Sequence, residues 1–336
     1  MVEDNKDIFP DAAVVQAFPN AAPAIENSLT REAFDIYESR ARRARDIYVK
    51  WGSRAVWLIA LAAAFTVWEA LLLEYTSDRV SKIAHALSIV FPLIAFFGIC
   101  VHTILYIRKT KYRWILNRFA AERVRSIHFQ SFSFAETATS TSDLATKVAD
   151  YSRTSLAALE HELNVGFSVF RDLSPENVVS VGSIENARTA ICMPDCVRAY
   201  SILRVEYQHK FALGEVERVE RGSRVKHLFS DTAYLVGASS VLVTLILKLA
   251  FPLELLWIAI FEFAIVLLLL FGFLERFLEQ ISIKHETIAR FKIYADAIKQ
   301  IEAETDVTNL ISRMEVVALS ELKSFCDDVD QVMLRL

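Results

Sequence analysis

Glycine, proline and cysteine are all scarce in this chain, at eight, seven and four residues among 336. So few glycines leave little material for a phosphate-cradling loop, and neither a P-loop nor a GxGxxG fingerprint is present. The GxSxG and HExxH signatures are missing as well. Cys100, Cys192, Cys196 and Cys326 are too few for a disulfide framework. Cys192 and Cys196 form a CxxxC without a second Cys/His pair at zinc-finger spacing, so reduced thiols are expected. The histidines are scattered, with none four residues from another, and a solvated helix face accounts for His161 between Glu160 and Glu162. No catalytic residue, metal or cofactor is expected. Charge of one sign is lacking too: the net charge is −4, which gives no pull towards nucleic acid, and no such partner is expected. The first 28 residues lack the basic and apolar regions of a signal peptide and, broken by prolines, are expected to form a flexible tail.

What the chain does have is hydrophobic length. It is 54% hydrophobic, above the roughly 45–50% usual for soluble domains, with a mean hydropathy of +0.31. Four apolar stretches approach the roughly 20 residues needed to cross a bilayer core: Ala55–Leu73, Ala84–Ile107, Thr232–Leu249 and Leu255–Phe273. Each is apolar around its whole circumference, unlike a helix with one dry face. The first two are joined by EYTSDRVSKI and the last two by the turn at Phe251–Pro252–Leu253, so they pair as hairpins. The expected fold is all-α, an integral membrane four-helix bundle of two hairpins with long cytoplasmic helices.

Orientation follows from the flanking cations. Arg40, Arg42, Arg43, Arg45, Lys50 and Arg54 precede the first span, and Arg108, Lys109, Lys111, Arg113 and Arg118 follow the second. Arg218, Arg221, Arg224 and Lys226 precede the third. Both termini and the central region are therefore expected in the cytoplasm. These basic flanks read as anchors with affinity for anionic lipid, or as a docking surface for a nucleotide or acidic partner.

The soluble segments read as helix. One covers about 29–50, with Ser28 as N-cap and Glu32 near the offset for a capping interaction. A second, 108–135, continues out of the second span, and a third covers 142–171 with Ser140, Thr141 or Ser142 as its cap. The segment 172–194 is irregular, with VVSVGSI as the best strand candidate. A helix of more than thirty residues starts at Asp195; another covers 274–303, and Asn309–Arg335 is amphipathic. The order helix, span, turn, span, helix thus occurs twice, over 29–135 and 195–303, with a Gly-Ser-Arg before each first span (Gly52–Arg54, Gly222–Arg224). A cytoplasmic insertion (136–194) separates the copies, and 304–336 ends the chain.

The helix YRWILNRFAAERVRSIHF after the first hairpin carries Trp114, Arg118, Ala121, Glu122 and Arg125 at helical spacing. In this it resembles the post-hairpin helix of bacterial SLATT domains. The helix before the third span resembles the family's pre-hairpin helix, with Tyr200, Tyr207 and Gln208 in matching places; RFKIYADAIKQIEAE is a looser match that keeps Tyr294 and Ala295 but has Asp296 for Glu. The resemblance covers about two thirds of the chain. It implies a membrane effector of bacterial conflict and antiviral defence, in the inner membrane, that forms pores or disrupts the membrane when a linked sensor protein or nucleotide signal reports infection. Trp114, Arg118, Glu122 and Arg125 would then belong to the cytoplasmic gate or docking surface.

Ionisable residues inside spans are costly and face a bundle interior or water. Glu262 lies about eight residues, or roughly 12 Å of helix rise, past the outer turn; Glu69 lies near the outer end of the first span, and Lys248 closes the third on the same side. Three readings stay open: a static pair of Lys248 with either carboxylate, a cation-favouring ring of Glu69 or Glu262 built by homo-oligomerisation, and snorkelling at the outer end. His102, in the second span, either makes an interhelical hydrogen bond or lines the same path. Small residues (Ala60, Ala62, Ala63, Ala64; Gly237, Ala238, Ser239, Ser240) suggest that the two first spans meet at the bundle centre. The expected function is an oligomeric effector that forms or gates an ion-conducting pore; the alternative is a non-conducting scaffold or adaptor that recruits a cytoplasmic enzyme.

Overall fold

With few glycines and prolines to interrupt it, the backbone closes its hydrogen bonds within helices. The structure is a computed structural model. It describes residues 5–74, 78–165, 174–175, 192–221, 232–233, 236, 239–240, 263–268, 270–271, 284–302 and 307–333, without the side chains of 63, 66–74, 78–88, 165, 284–286, 307–308 and 329–333. Helices α1 (Ala12–Ala17), α2 (Ala22–Ile25), α3 (Ser28–Glu74), α4 (Asp78–Ile107), α5 (Thr110–Gln130) and α6 (Thr141–Val165) follow in order. Then come α7 (Met193–Tyr200), which passes through a π-helical turn at Ser201–Glu206 into helical 207–221, α8 (Lys284–Ile301) and α9 (Val307–Met333). No strand occurs among the described residues, so the all-α class holds. The strand candidate VVSVGSI lies outside them.

The chain divides into two compact units. Unit 1 comprises Met1–Arg43, Arg113–Glu220 and His285–Leu336; unit 2 comprises Ala44–Tyr112 and Arg221–Lys284. This division cuts across the two sequence repeats, since unit 1 gathers the non-span segments of both. Unit 2 contains all four predicted spans.

Unit 1 has an aromatic core. The Phe129 and Phe132 rings lie 5.8 Å apart, and each meets the Tyr200 ring edge-on, at 5.8 and 5.9 Å. Ile115, Phe119, Leu144 and Ile298 are fully buried. The N-terminal segment differs from the expected tail. Pro19 and Pro23 sit in the first turns of their short helices, where a missing N–H costs nothing. Ile8, Ala21, Ala24 and Ile25 are fully buried, and α2 packs on α6. Those prolines start helices rather than break a tail.

Helix ends also refine the sequence reading. α3 starts at Ser28 itself, so Asn27 precedes it; Asn27 O accepts from Arg31 N and from Thr30 Oγ1, both at 3.1 Å. α6 is capped as expected by Ser140, whose Oγ accepts from Asp143 N at 3.2 Å while the Asp143 carboxylate accepts from Thr139 N at 2.8 Å. The single helix expected over 108–135 is broken at its start. Lys109 adopts φ 50°, a left-handed conformation that ends α4 before α5 begins. It also tightens into a 3₁₀ turn at Ser131–Glu136.

In unit 2, α3 and α4 pack through small residues. A Cβ added at Gly98 would lie 2.9 Å from Ile59 Cγ1 and 3.1 Å from the Ala55 carbonyl oxygen. Phe65 stacks on Phe91 at 4.1 Å. Ala55, Ala62 and Ala64 are buried. Gly98 of the second span thus meets Ala55, Leu58 and Ile59 of the first. Gly237 and Ala238 lie outside the described residues. α4 passes Pro92 without a break. One described stretch, within Ile89–Glu136, is long and apolar enough to cross a membrane. The Thr232–Leu249 and Leu255–Phe273 stretches fall largely outside the described residues.

Candidate functional site: a buried charge network and an apolar helix

The motif helix α5 places Arg118, Glu122 and Arg125 on one face, because residues three and four apart are neighbours on a helix. Arg118 Nη2 lies 2.6 Å from Glu122 Oε1, and Arg125 Nη1 lies 2.9 Å from the same oxygen. The Arg118–Glu122 pairing read from i,i+4 spacing is therefore formed. Both guanidinium groups also reach beyond α5. Arg118 Nη1 donates to Glu38 Oε2 on α3 at 2.9 Å, and Arg42 Nε donates to the other Glu38 oxygen at 2.8 Å. Arg125 Nε lies 3.2 Å from Asp7 Oδ2, Nη2 donates to Asn5 Oδ1 at 2.6 Å, and the guanidinium stacks over the Phe34 ring at 4.9 Å. Gln208 Nε2 donates to Asp7 Oδ2 at 2.9 Å, and Tyr294 OH reaches Gln208 Oε1 at 3.5 Å.

The result is a continuous relay: Arg42, Glu38, Arg118, Glu122, Arg125, Asp7, Gln208, Tyr294. Three guanidinium groups face three carboxylates, so the charge along the relay is balanced, with Arg42 at its exposed end. That balance decides its cost, since unpaired ions in low dielectric are far more expensive than matched ones. Burial alone would raise the Glu38 and Glu122 carboxyls; attraction from Arg118 and its neighbouring arginines outweighs it and holds both below the ordinary value. Arg118 and Arg125 stay protonated above their ordinary range for the same reason. Gln208 takes part, and beside it the Tyr207 hydroxyl accepts from Lys6 N at 3.3 Å. Trp114 lies at the edge of this face, its ring 6.2 Å from Phe325 in a T-shaped contact.

Two further clusters lie in unit 1. Arg204, in the π-helical turn, makes a bidentate pair with Glu315 at 2.8 and 2.9 Å, and Tyr200 OH donates to Glu315 at 3.2 Å. Arg204 is 2% exposed and Glu315 fully buried, with Phe129 under the guanidinium at 4.9 Å. Burial and the Glu315 charge push the Tyr200 hydroxyl well above its ordinary value. Arg290 joins α8 to α9 through Glu321 at 3.0 Å and Asp328 at 2.7 Å. Burial nevertheless leaves Glu321 above the ordinary carboxylate range.

In unit 2 the chemistry is apolar. Ile89, Leu93, Phe96, Phe97, Ile104, Tyr106 and Ile107 of α4 are all exposed. His102 stands exposed among them and makes no hydrogen bond with the described residues. Glu69 lies in α3, and its side chain is outside the described set, as are Glu262 and Lys248 altogether. Three cysteines are buried and Cys100 is partly so, all four as free thiols; burial, helped by Cys192 and Asp195, pushes Cys196 up to about 12. Among the described residues no His/Cys/Asp/Glu group has the arrangement of a metal site.

Comparison with known proteins adds no relative. No family model, curated protein or solved structure matches the chain.

Sequence reasoning missed Asp7, Glu38, Arg204, Glu315 and Arg290. Glu315 carried a signal: it falls on the α9 stripe with Ile311, Met314, Leu319 and Leu322, all buried, where a carboxylate must have a partner. Asp7 carried none, because its partner is distant in sequence; Glu38 carried only its i,i+4 spacing to Arg42, while Arg118 lies 80 residues away.

Proposed function

We propose that the chain is an integral membrane effector whose two hairpins cross the bacterial inner membrane, and which assembles in several copies to form or gate an ion-conducting pore. The observation that supports the membrane reading is α4. Its most apolar window has a mean hydropathy of 2.2, yet only 17% of that window is buried. In water each exposed Å² of apolar surface costs roughly 25 cal/mol, whereas in lipid that cost vanishes. The role in antiviral defence rests on the resemblance of Trp114, Arg118, Glu122 and Arg125 to the SLATT helix. A sensor protein or nucleotide signal would act on the cytoplasmic helices, and Glu69 or Glu262 would line the conducting path.

The test is cation flux from liposomes holding the purified full chain. Wild type conducts once triggered, and Glu262→Ala lowers cation flux several-fold, as loss of an acidic ring requires. A monomer or dimer that never conducts would replace the pore with a scaffold or adaptor.

A further inference from the structure

Unit 2 carries a groove of about 430 Å³ between α3 and α4, the size of a small-molecule site. Its walls are almost wholly apolar, formed by Trp57, Leu58, Leu61 and Phe97, and its mouth holds Trp51 and Arg54. Arg54 is exposed and stacks over the Trp51 ring at 5.1 Å. It has no carboxylate partner among the described residues, unlike Arg118 and Arg125. Gly52, two residues before Arg54, has open space where a Cβ would stand.

We propose that this groove binds one anionic glycerophospholipid, with an acyl chain along the apolar wall and the phosphate on Arg54. The inference rests on the membrane reading, which puts the mouth of the groove at the cytoplasmic headgroup level, where the first predicted span begins at Ala55. Three features choose this occupant. An apolar slot of that volume fits a hydrocarbon chain rather than a free anion. A guanidinium at its mouth, without a carboxylate partner among the described residues, takes a phosphate in bidentate fashion. An indole beside it has the amphipathic character that seats tryptophan at membrane interfaces. The proposal narrows the general affinity of basic flanks for anionic lipid to one cation and one slot.

The experiment uses the purified full chain in mild nonionic detergent, offered equal amounts of phosphatidylglycerol and phosphatidylcholine of the same chain length, with retained lipid read by native mass spectrometry. Wild type retains phosphatidylglycerol several-fold over phosphatidylcholine. Arg54→Gln abolishes that preference, Arg54→Lys restores part of it, and the distant Arg43→Gln leaves it intact. Independently of folding in any Arg54 variant, phosphatidylglycerol with brominated acyl chains quenches wild-type tryptophan fluorescence, and less so after Trp57→Phe. Equal retention of the two lipids by wild type, or an undiminished preference in Arg54→Gln, overturns the site. Carbonate washing of membranes separates this from failure of the membrane reading: a chain that stays in the pellet without lipid preference loses only the groove, whereas a chain that washes off loses both.

Discussion

His128 on α5 is fully buried. Its Nδ1 lies 2.8 Å from Thr30 Oγ1, while Nε2 has no partner among the described residues. Burial, with Arg31, Arg204 and Arg125 nearby, pushes its pKa from 6.5 down to about 3. Between those values the unfolded chain binds a proton that the folded chain refuses, so stability falls as pH drops below the unfolded value. Denaturation midpoints should show a loss of about 1.4 kcal/mol between about pH 7.5 and about pH 5.5, and His128→Gln should remove it. Glu38 and Glu122, held below 4.5, stay ionised across that window and add nothing to the slope. The neutral, buried state of His128 was not legible in the sequence, where it is one of several scattered histidines. By contrast Arg118 and Glu122 declared their pairing through helical spacing alone. What decides legibility at this scale is sequence distance: the partners of Arg125 include Asp7, which no local pattern connects to it.

At the scale of elements, the α3–α4 contact offers a direct check. A Cβ at Gly98 would lie so close to Ile59 Cγ1 and the Ala55 carbonyl that a side chain there must shift its neighbours. Gly98→Val should destabilise unit 2 by about 1–3 kcal/mol, the usual cost of overpacking; a fall in the thermal midpoint of the detergent-solubilised protein reads it. Helices α5 to α9 stand close to where periodicity and cap residues put them, and Ser140 caps α6 as its position suggested. The misread elements share a cause. Proline read by sequence alone is a breaker, yet Pro19 and Pro23 occupy first turns. No local rule marked Lys109 as a left-handed stop, because glycine or asparagine is the residue that normally announces one. The π-helical turn at Ser201–Glu206 holds Arg204, and its bond to Glu315 joins residues 111 apart.

For the whole molecule, hydropathy and the distribution of cations make topology the testable property. A cysteine introduced at the exposed Asp150 of α6, in a Cys100→Ser background, should react with an impermeant maleimide only after the inner membrane is opened. Reaction in intact spheroplasts would put the region between Lys111 and Arg218 outside and end the four-span reading. The remaining native thiols are buried and unreactive on this timescale, with Cys192 and Cys196 also raised by burial. At this scale the all-α class was legible in the sequence, and among the described residues one apolar stretch falls within a helix long and apolar enough to cross a membrane, since uniform oiliness needs no partner to interpret.

The relay from Arg42 to Asp7 has one more consequence. A helical unit that carries its own counter-ions inside owes little to the surrounding electrolyte, because dissolved salt cannot enter to screen pairs it cannot reach. Raising the salt of the surrounding solution would therefore leave the buried Arg125–Asp7 contact in place.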